Sequence, residues 1–295
     1  MSVYFGRRRK RFCAVNRVSF DVYPGETFGI VGESGSGKTT IGRSIIRITP
    51  ISGGNIFFKN QCISGPLPVL RKKELTRQIQ MIFQDPMSSL NERAKVNYIV
   101  SEGLPFHLIS SQERADRVAQ ALSEVGLRPE FATRFPHEFS GGQRQRIGIA
   151  RALIMEPELI IADEPISALD VSIRAQVLNL MHKLQKQRNL TYLFISHDLS
   201  VMRFICDRIA AIHRGNMVEL ADAETLLTRP IHPYTRSLLS AIPLPDPEHE
   251  RNKKVIVYDP NMHDYSIDPP LWEELEPGHF VRGSRKELDS YRKDL

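Results

Sequence analysis

The stretch Gly32–Thr40, with the sequence GESGSGKTT, constrains the fold of this chain more than any other. It matches the pattern G-x-x-x-x-G-K-[ST], in which a glycine-rich loop joins a strand to a helix and cradles phosphate groups. The flanks agree with this pattern. Residues 27–31 are mostly apolar, as in a short buried strand, and three isoleucines recur at helical spacing after the loop, at Ile41, Ile45 and Ile48. The stretch therefore predicts an α/β core with a phosphate-binding loop.

The loop residues predict a nucleotide site. Glycines let backbone N–H groups turn towards phosphate oxygens, and the start of a helix adds partial positive charge. Lys38 is expected to reach the β- and γ-phosphates, and the Thr39 hydroxyl is expected to bind Mg²⁺. The residues expected to bind the nucleotide are Gly32, Glu33, Ser34, Gly35, Ser36, Gly37, Lys38, Thr39 and Thr40. The alternative, a Gly/Ser-rich turn that happens to contain a lysine, is disfavoured by the flanking strand and helix.

Four polar residues that follow further apolar strands are candidates for the chemistry. Functional groups of open α/β sheets gather at the carboxyl ends of strands, and Gln84, Asp163, Glu164 and His197 all follow short apolar runs. Asp163 is expected to hold Mg²⁺, and Glu164 to accept a proton from the attacking water or orient it. Gln84 could contact Mg²⁺ or water, and His197 a γ-phosphate oxygen. Taken singly, Gln84 would be a surface turn residue and His197 a structural histidine.

A second anion-binding helix start is predicted at Ser140, Gly141, Gly142 and Gln143. Ser140 is a candidate N-cap, and the backbone N–H groups and dipole of the helix that follows would attract a phosphate. The segment lies in a helix-rich stretch at about residues 87–157, away from the first loop. Two chains that face each other head to tail would resolve this separation, because each would then cap the nucleotide of the other.

Together these motifs resemble the nucleotide-binding subunit of an ABC transporter. The matching segments are Gly32–Thr39 (Walker A), Gln84 (Q-loop), Phe139–Gln143 (signature, with Phe139 where Leu is usual), Leu159–Glu164 (Walker B), Ser167–Asp170 (D-loop) and His197 (switch histidine). The resemblance implies an α/β P-loop NTPase of ABC type. This fold has a layered RecA-like core, an antiparallel β subdomain and an inserted helical subdomain. It also implies that an aromatic residue near the N-terminus stacks on adenine; Phe5 is the first candidate and the adjacent Tyr4 the second. The alternative is that these residues only pack the strand.

Two segments narrow the resemblance to one branch of that family. Residues 82–91 are similar to the Q-loop region of peptide importers, and residues 231–239 to the C-terminal motif of oligopeptide and dipeptide import ATPases. The rest of the chain resembles the second ATPase subunit of Gram-positive oligopeptide permeases. The resemblance implies an Mg²⁺-dependent ATPase, peripheral at the cytoplasmic face of the membrane, that energises oligopeptide import.

The same resemblance implies the partners. They are a second ABC ATPase subunit in a heterodimer, two transmembrane permease subunits, and an extracytoplasmic peptide-binding protein that acts through them. Two alternatives stay open. One is an ATPase subunit of an importer for nickel or another small solute. The other is an ABC ATPase without a membrane partner that acts on ribosomes or nucleic acid.

Composition and charge limit these alternatives. The net charge is +6, and a basic run at residues 7–11 could contact nucleic acid. We interpret it instead as a solvated loop, because no aromatic side chains interleave with it, and we expect no nucleic-acid partner. No apolar run approaches the length of a membrane span. The three cysteines are far apart, which disfavours a disulfide framework and fits a reducing cytoplasm.

The order of motifs also predicts the domain organisation. We expect a nucleotide-binding domain at residues 1–228, with its helical insertion at about 87–157, and a C-terminal appendage of oligopeptide-transporter type at 229–295. Prolines recur after residue 228, so we expect this appendage to be extended and to contain few regular elements.

Overall fold

The computed structural model describes residues 1–6, 11–243 and 253–293. Most of the basic run, residues 7–10, lies outside the described residues. The chain divides into two compact units. The first comprises Met1–Asp21, Thr27–Ile63 and Ile195–Leu295, and the second comprises Val22–Glu26 and Ser64–Phe194.

The first unit contains most of the strands. Its strands are β1 (Val3–Phe5), β2 (Phe12–Val15), β3 (Thr27–Val31), β4 (Phe57–Phe58), β5 (Gln61–Cys62), β9 (Arg208–His213), β10 (Asn216–Asp222), β11 (Leu271–Glu276) and β12 (His279–Gly283). Its helices are α1 (Lys38–Ile45), α8 (Leu199–Met202), α9 (Ala223–Thr228), α10 (Pro233–Ser240) and α11 (Arg285–Lys293), with a 3₁₀ turn at Pro260–Met262.

Helices dominate the second unit. They are α2 (Val69–Gln78), α3 (Pro86–Ser89), α4 (Val96–Ser101), α5 (Ser111–Glu124), α6 (Gly141–Leu153) and α7 (Val171–Arg188), with 3₁₀ turns at Pro129–Thr133 and Pro136–Glu138. The strands are β6 (Ile79–Ile82), β7 (Leu159–Asp163) and β8 (Thr191–Ser196), whose last two residues belong to the first unit. The predicted helix-rich stretch at 87–157 is therefore present.

The main sheet of the first unit places the phosphate-binding loop at a strand end. Strands β11, β12, β10, β9 and β3 lie side by side in this order. β3 runs parallel to β9, with Gly29 opposite Ile209, and the other neighbours are antiparallel. All five residues of β3 are buried, as expected for a strand covered on both faces. The chain leaves the carboxyl end of β3 directly into the loop.

The sheet of the second unit brings two of the predicted polar residues to neighbouring strand ends. β7 lies between β8 and β6 and runs parallel to β6, with Ile82 opposite Ala162. Because parallel neighbours end at the same edge, the residues that follow β6 and β7 emerge side by side. Asp163 is the last residue of β7, and Gln84 follows β6 by two residues.

The expectation of few regular elements after residue 228 was wrong. The described part of that segment contributes α10, β11, β12 and α11, and β12 pairs with β10. The prolines occur where an absent N–H group costs little. Pro233 begins α10, Pro260 begins the 3₁₀ turn, Pro270 directly precedes β11, and Pro277 lies in the turn between β11 and β12. The boundary between residues 228 and 229 remains a prediction.

Within the described ranges, no helix combines the length and the apolar character that a membrane crossing requires.

Candidate functional site

The phosphate-binding loop packs so tightly that two of its glycines admit no side chain. A Cβ atom on Gly32 would lie 2.1 Å from the carbonyl oxygen of Ile212, at the end of β9. A Cβ on Gly37 would lie 2.2 Å from the carbonyl oxygen of Ala14, and Gly37 also has a φ of +103°, which favours glycine. The N–H of Gly215, in the β9–β10 turn, donates to the Ser36 carbonyl at 2.9 Å. The backbone of the loop is therefore clamped between β2 and this turn.

Lys38 lies at the centre of the loop. Its Nζ atom is 2.7 Å from the carbonyl oxygen of Gly32 and 2.8 Å from that of Glu33, and the residue is almost completely buried. Backbone carbonyls thus stabilise the buried ammonium group, which would otherwise be costly to desolvate. The ammonium curls back over the loop, where an anion bound to the loop would meet it.

The loop also has hydroxyl groups that could bind a phosphate. Ser36 is buried, and its hydroxyl has no hydrogen-bond partner among the described residues. Buried hydroxyls are rarely left without a partner, so this one suits a phosphate oxygen. Thr39 and Thr40 are half-buried in the first turn of α1. The loop therefore fits the nucleotide phosphates predicted from its sequence.

His197 belongs to the first unit as well and is exposed immediately after β8. The backbone beyond it is firmly held. Asp198 donates its N–H to the Ser196 hydroxyl at 2.9 Å, and its carboxylate caps α8 by accepting the N–H of Ser200 at 3.0 Å. His197 therefore lies exposed in a fixed turn at a strand end, and its contact with a γ-phosphate oxygen stays a prediction.

In the second unit, two predicted catalytic residues are in direct contact. Gln84 Nε2 donates to Glu164 Oε2 at 2.9 Å, across the neighbouring ends of β6 and β7. Glu164 has a φ of +46°, which is uncommon for a residue other than glycine. The N–H and the hydroxyl of Ser167 donate to the Glu164 carbonyl at 3.2 Å and 3.1 Å and hold this turn. Such backbone strain typically persists at functional sites, where the surroundings enforce it.

The second unit also offers the carboxylate expected to bind Mg²⁺. Asp163 is 2% exposed and directly precedes Glu164. Among the residues that the structure describes, no group of three or more His, Cys, Asp or Glu side chains could hold a metal by itself. Mg²⁺ differs from metals held by such protein clusters, because it is commonly bound by one or two carboxylates together with substrate phosphates and water. The carboxylate of Asp163 suits that mode of binding.

The second predicted anion site is a well-formed helix start. Ser140 is the N-cap of α6, and its hydroxyl accepts the N–H of Gln143 at 3.4 Å. Gln143 Oε1 in turn accepts the N–H of Ser140 at 3.0 Å, which completes a capping box. Ser140 and Gly141 are exposed, whereas Gly142 is buried against Ile173. A serine hydroxyl that accepts a hydrogen bond in this way can also donate one, which suits an anion at the helix start.

The aromatic candidates for adenine stacking lie on β1. Tyr4 and Phe5 are 42% and 45% exposed, so exposure does not distinguish them. They are consecutive in a strand and therefore point to opposite faces. Phe12, which is 63% exposed, lies directly opposite Phe5 on β2 and so shares its face. The motif comparison did not identify Phe12, although its exposed aromatic ring in a short strand could have drawn attention to it.

Sequence reasoning missed one contact of the loop altogether. The hydroxyl of Tyr234, in α10, accepts the backbone N–H of Glu33 at 3.0 Å. The motif at 231–239 was noted as a family marker, but no sequence signal tied it to residue 33. Residues that are far apart in the sequence can be recognised as neighbours only once the fold is known.

Family models match two parts of the chain. Residues 15–167 match the model described as "ABC transporter", and residues 218–266 match that described as "Oligopeptide/dipeptide transporter, C-terminal region". The first match covers the loop, Gln84, Ser140–Gln143 and Glu164. The second covers α10 and its Tyr234.

Several relatives align with nearly the whole chain. The "Oligopeptide transport ATP-binding protein OppF" of Streptococcus pyogenes serotype M1 is 57% identical over 100% of this chain and 97% of its own length. The "Oligopeptide transport ATP-binding protein AmiF" of Streptococcus pneumoniae serotype 4 is 58% identical over 100% and 96%. OppF of Bacillus subtilis is 54% identical over 94% and 92%.

Solved structures with the same fold are ATP-binding cassettes. A dimeric structure of the cassette MJ0796, in a post-hydrolysis state bound to ADP and Pi, has a TM-score of 0.68 and 28% identity, over 75% of this chain and 96% of that one. The protein cbiO1 of Clostridium perfringens, part of the transporter complex cbiONQ, has a TM-score of 0.69 and 26% identity, over 77% and 88%.

Proposed function

This chain belongs to the ABC transporter family, and we propose that it is the ATP-hydrolysing subunit that energises the import of oligopeptides. The observation that carries the enzymatic part is the hydrogen bond between Gln84 and Glu164 at the ends of β6 and β7. It holds the side chain of a carboxylate next to Asp163, in the turn where the family places the groups that act on the γ-phosphate. Family membership supports ATP as the substrate.

The first unit would bind and orient the phosphates of ATP. Lys38 is already turned over the loop by the carbonyls of Gly32 and Glu33, and it would contact the β- and γ-phosphates from there. The Ser36 hydroxyl and the N–H groups at the start of α1 would donate to phosphate oxygens. His197 would donate to the γ-phosphate and stabilise the charge that develops on it.

The second unit would supply the group that acts on water. Glu164 would polarise a water molecule for in-line attack on the γ-phosphorus and accept its proton. Gln84 would keep the Glu164 carboxylate oriented, and its amide oxygen would sense the metal or the water. Asp163, Thr39 and Gln84 would hold Mg²⁺, which when bound neutralises charge on the phosphate oxygens.

The start of α6 would act on the nucleotide of another ATPase subunit. Ser140 and Gly141 are exposed at a helix N-terminus, which is an arrangement that attracts phosphate. The dimeric cassette structures among the relatives support a paired assembly. We expect a heterodimer with a second ABC ATPase subunit, in which each chain completes the site of the other.

The import role rests on the C-terminal match and on the named relatives. An ATPase of this branch works with membrane permease subunits. We expect two of them, docked at the cytoplasmic face of the membrane, together with an extracytoplasmic peptide-binding protein. The surface near Gln84 would pass the closing and opening of the ATPase pair to these permeases.

Replacing Glu164 by Gln tests the catalytic assignment. In the assembled transporter, Glu164→Gln should nearly abolish steady-state ATP hydrolysis, because the amide cannot accept a proton from water. ATP binding, measured by calorimetry, should remain. The matched control is Glu158→Gln, which changes an exposed carboxylate directly before the opposite end of β7 and should leave turnover intact. Undiminished hydrolysis in Glu164→Gln would overturn the catalytic role.

The transported solute requires its own experiment. Cells that lack the gene should lose uptake of a labelled oligopeptide, and the wild-type chain but not Glu164→Gln should restore it. Restored uptake of nickel without peptide uptake would instead support the small-solute alternative. Tight, salt-dependent binding of RNA or DNA by the purified chain would support the nucleic-acid alternative.

A further inference from the structure

A tyrosine from the C-terminal part of the chain contacts the backbone of the phosphate-binding loop. Tyr234, the second residue of α10, lies 201 residues after Glu33, and its hydroxyl oxygen accepts the Glu33 N–H at 3.0 Å. Both residues belong to the first unit. The bond ties the segment 231–239 to the first turn of the loop, although no step of the proposed mechanism uses that segment.

The peptide group that donates this hydrogen bond also holds Lys38 through its carbonyl oxygen. The carbonyl oxygen of Gly32 accepts a bond from Lys38 Nζ at 2.7 Å, and this carbonyl and the Glu33 N–H belong to the same planar peptide unit. In a trans peptide, the C=O and the N–H point in opposite directions. A bond that fixes the direction of the N–H therefore also fixes the direction of the carbonyl that holds the lysine.

Tyr234 is itself held in place, so its hydroxyl can fix the direction of the Glu33 N–H. It is fully buried, and its ring lies 4.5 Å from that of His213 and 5.4 Å from that of Tyr258, between centroids. Its N–H donates to His232 Nδ1 at 3.1 Å. Burial raises the pKa of Tyr234 to about 12, so the hydroxyl stays neutral under physiological conditions. The oxygen is thus a fixed, uncharged acceptor.

A buried carboxylate secures the start of α10. Glu219, on β10, is completely buried and accepts the N–H groups of Ile231 and His232 at 2.8 Å and 3.0 Å. Its Oε1 atom is also 2.8 Å from His279 Nε2, on β12. Because several hydrogen bonds satisfy the buried carboxylate, the segment that carries Tyr234 has a defined position on the sheet.

We propose that Tyr234 is a positioning residue for ATP binding: it sets the orientation of the Gly32–Glu33 peptide and thereby places Lys38 against the β- and γ-phosphates. This inference rests on the proposed role of Lys38 in binding ATP. It gives the C-terminal segment a part in the nucleotide site of its own chain. The effect is on binding of the phosphates, because Tyr234 contacts neither the γ-phosphate nor the attacking water in this scheme.

The variant Tyr234→Phe tests this inference, because it removes the hydroxyl and keeps the buried ring. The full-length chain should bind Mg-ATP roughly 3- to 10-fold more weakly by calorimetry, the range that loss of one such hydrogen bond gives. In the assembled transporter, KM for ATP should rise by a similar factor, while kcat changes by less than about twofold. A purely structural role would not split KM from kcat in this way.

Two further variants make the result decisive. Tyr265→Phe removes a buried hydroxyl further along the chain, outside residues 231–239, and this hydroxyl has no hydrogen-bond partner among the described residues. Its ATP affinity should match that of the wild type. Lys38→Ala should lose most of the ATP affinity, which checks the proposed function itself.

The outcomes distinguish failure of the role proposed for Tyr234 from failure of the role proposed for Lys38. Wild-type affinity in Tyr234→Phe, with affinity lost in Lys38→Ala, would overturn the role of Tyr234 and leave the nucleotide site standing. An equal loss in Tyr234→Phe and Tyr265→Phe would also overturn it, since the effect would then be one of packing. Wild-type affinity in Lys38→Ala would contradict the proposed role of the loop lysine.

Discussion

At the scale of single residues, backbone geometry and one side-chain contact support the proposed catalytic role of Glu164. Its φ of +46° is unfavourable for a residue with a side chain, and the Ser167 hydroxyl and N–H hold the turn in that form. Gln84 then fixes the carboxylate. A side chain held from both ends in this way loses little conformational freedom when it acts, which is the condition for efficient orientation of water.

The assignment of Phe5 rather than Tyr4 to adenine stacking is a prediction about single side chains. Phe5 shares its face of β1 with the exposed ring of Phe12, so that face offers two aromatic rings. We expect Phe5→Ala to weaken ATP binding. Loss of base–aromatic stacking costs about 1–3 kcal/mol, which corresponds to roughly 5- to 150-fold in affinity.

The matched control for this prediction is Tyr4→Ala, the adjacent residue of similar exposure. Its ATP affinity, measured by the same calorimetric titration with Mg-ATP, should stay close to that of the wild type. The reverse result, with a loss for Tyr4→Ala and none for Phe5→Ala, would reassign the stacking residue.

At the scale of elements, helix starts organise the chemistry of this chain. α1 begins at Lys38, α6 is capped by Ser140, and α10 is capped by His232. An imidazole nitrogen as N-cap accepts a hydrogen bond only while it is unprotonated. The capping of α10 therefore depends on the protonation state of His232. A serine cap would not depend on pH in this way.

This dependence predicts a pH effect on stability. Burial, with repulsion from His263, Arg282 and His213, lowers the pKa of His232 to about 3 from the ordinary 6.5. The unfolded chain then takes up a proton below pH 6.5 while the folded chain does not, so stability falls as pH falls from 6.5 towards 3. Between pH 7 and 5, this single group should remove about 2 kcal/mol from the free energy of unfolding.

Urea unfolding of the wild type and of His232→Asn over this pH range measures the effect. The asparagine oxygen can still cap α10, but it does not titrate. We expect His232→Asn to be less stable at pH 7, because the smaller side chain leaves a cavity, but to lose about 2 kcal/mol less between pH 7 and 5. Parallel pH profiles for the two proteins would show that His232 does not account for the dependence.

At the scale of the whole molecule, each compact unit holds a part of the predicted chemistry. The first unit contains the loop, Lys38, His197 and Tyr234, and the second contains Gln84, Asp163, Glu164 and the start of α6. The proposed assembly adds a second chain, whose nucleotide the Ser140 end of α6 would contact.

Pairing of ATPase subunits should therefore depend on Ser140. Ser140→Asp keeps an N-cap but places a negative charge where the partner's γ-phosphate would bind. In the ATPase pair of the transporter, with Glu164→Gln to prevent hydrolysis, we expect ATP-dependent association to weaken roughly tenfold or more. Sedimentation at a series of protein concentrations measures this.

Ser110→Asp provides the control for the pairing experiment. Ser110 caps α5 in the same unit, and its hydroxyl accepts the N–H of Glu113 at 3.0 Å, so both variants exchange one N-cap for another. Only Ser140→Asp should affect association, and ATP affinity of the single chain should be unchanged in both. Unaltered pairing of Ser140→Asp would contradict the head-to-tail arrangement.

The C-terminal residues show where sequence reasoning failed and why. Proline frequency predicted an extended appendage, yet β12 pairs with β10, and Ile231, Val281 and Leu288 form a buried apolar cluster. The number of prolines tells how many backbone N–H groups are missing. It does not tell whether those N–H groups would have donated a hydrogen bond within a helix or a sheet. At the first position of a helix and beside a strand end such an N–H is not needed.

Sequence alone determined the family, the phosphate-binding loop, the polar residues at the strand ends and the cap of α6. These features depend on neighbours within a few residues, where spacing and backbone chemistry leave little freedom. Only the tertiary structure decided that Tyr234 fixes the Gly32–Glu33 peptide, that Gln84 holds Glu164, and that Phe12 lies beside Phe5. The first two contacts join residues 201 and 80 positions apart. Such contacts follow from how strands and helices pack, which local spacing does not encode.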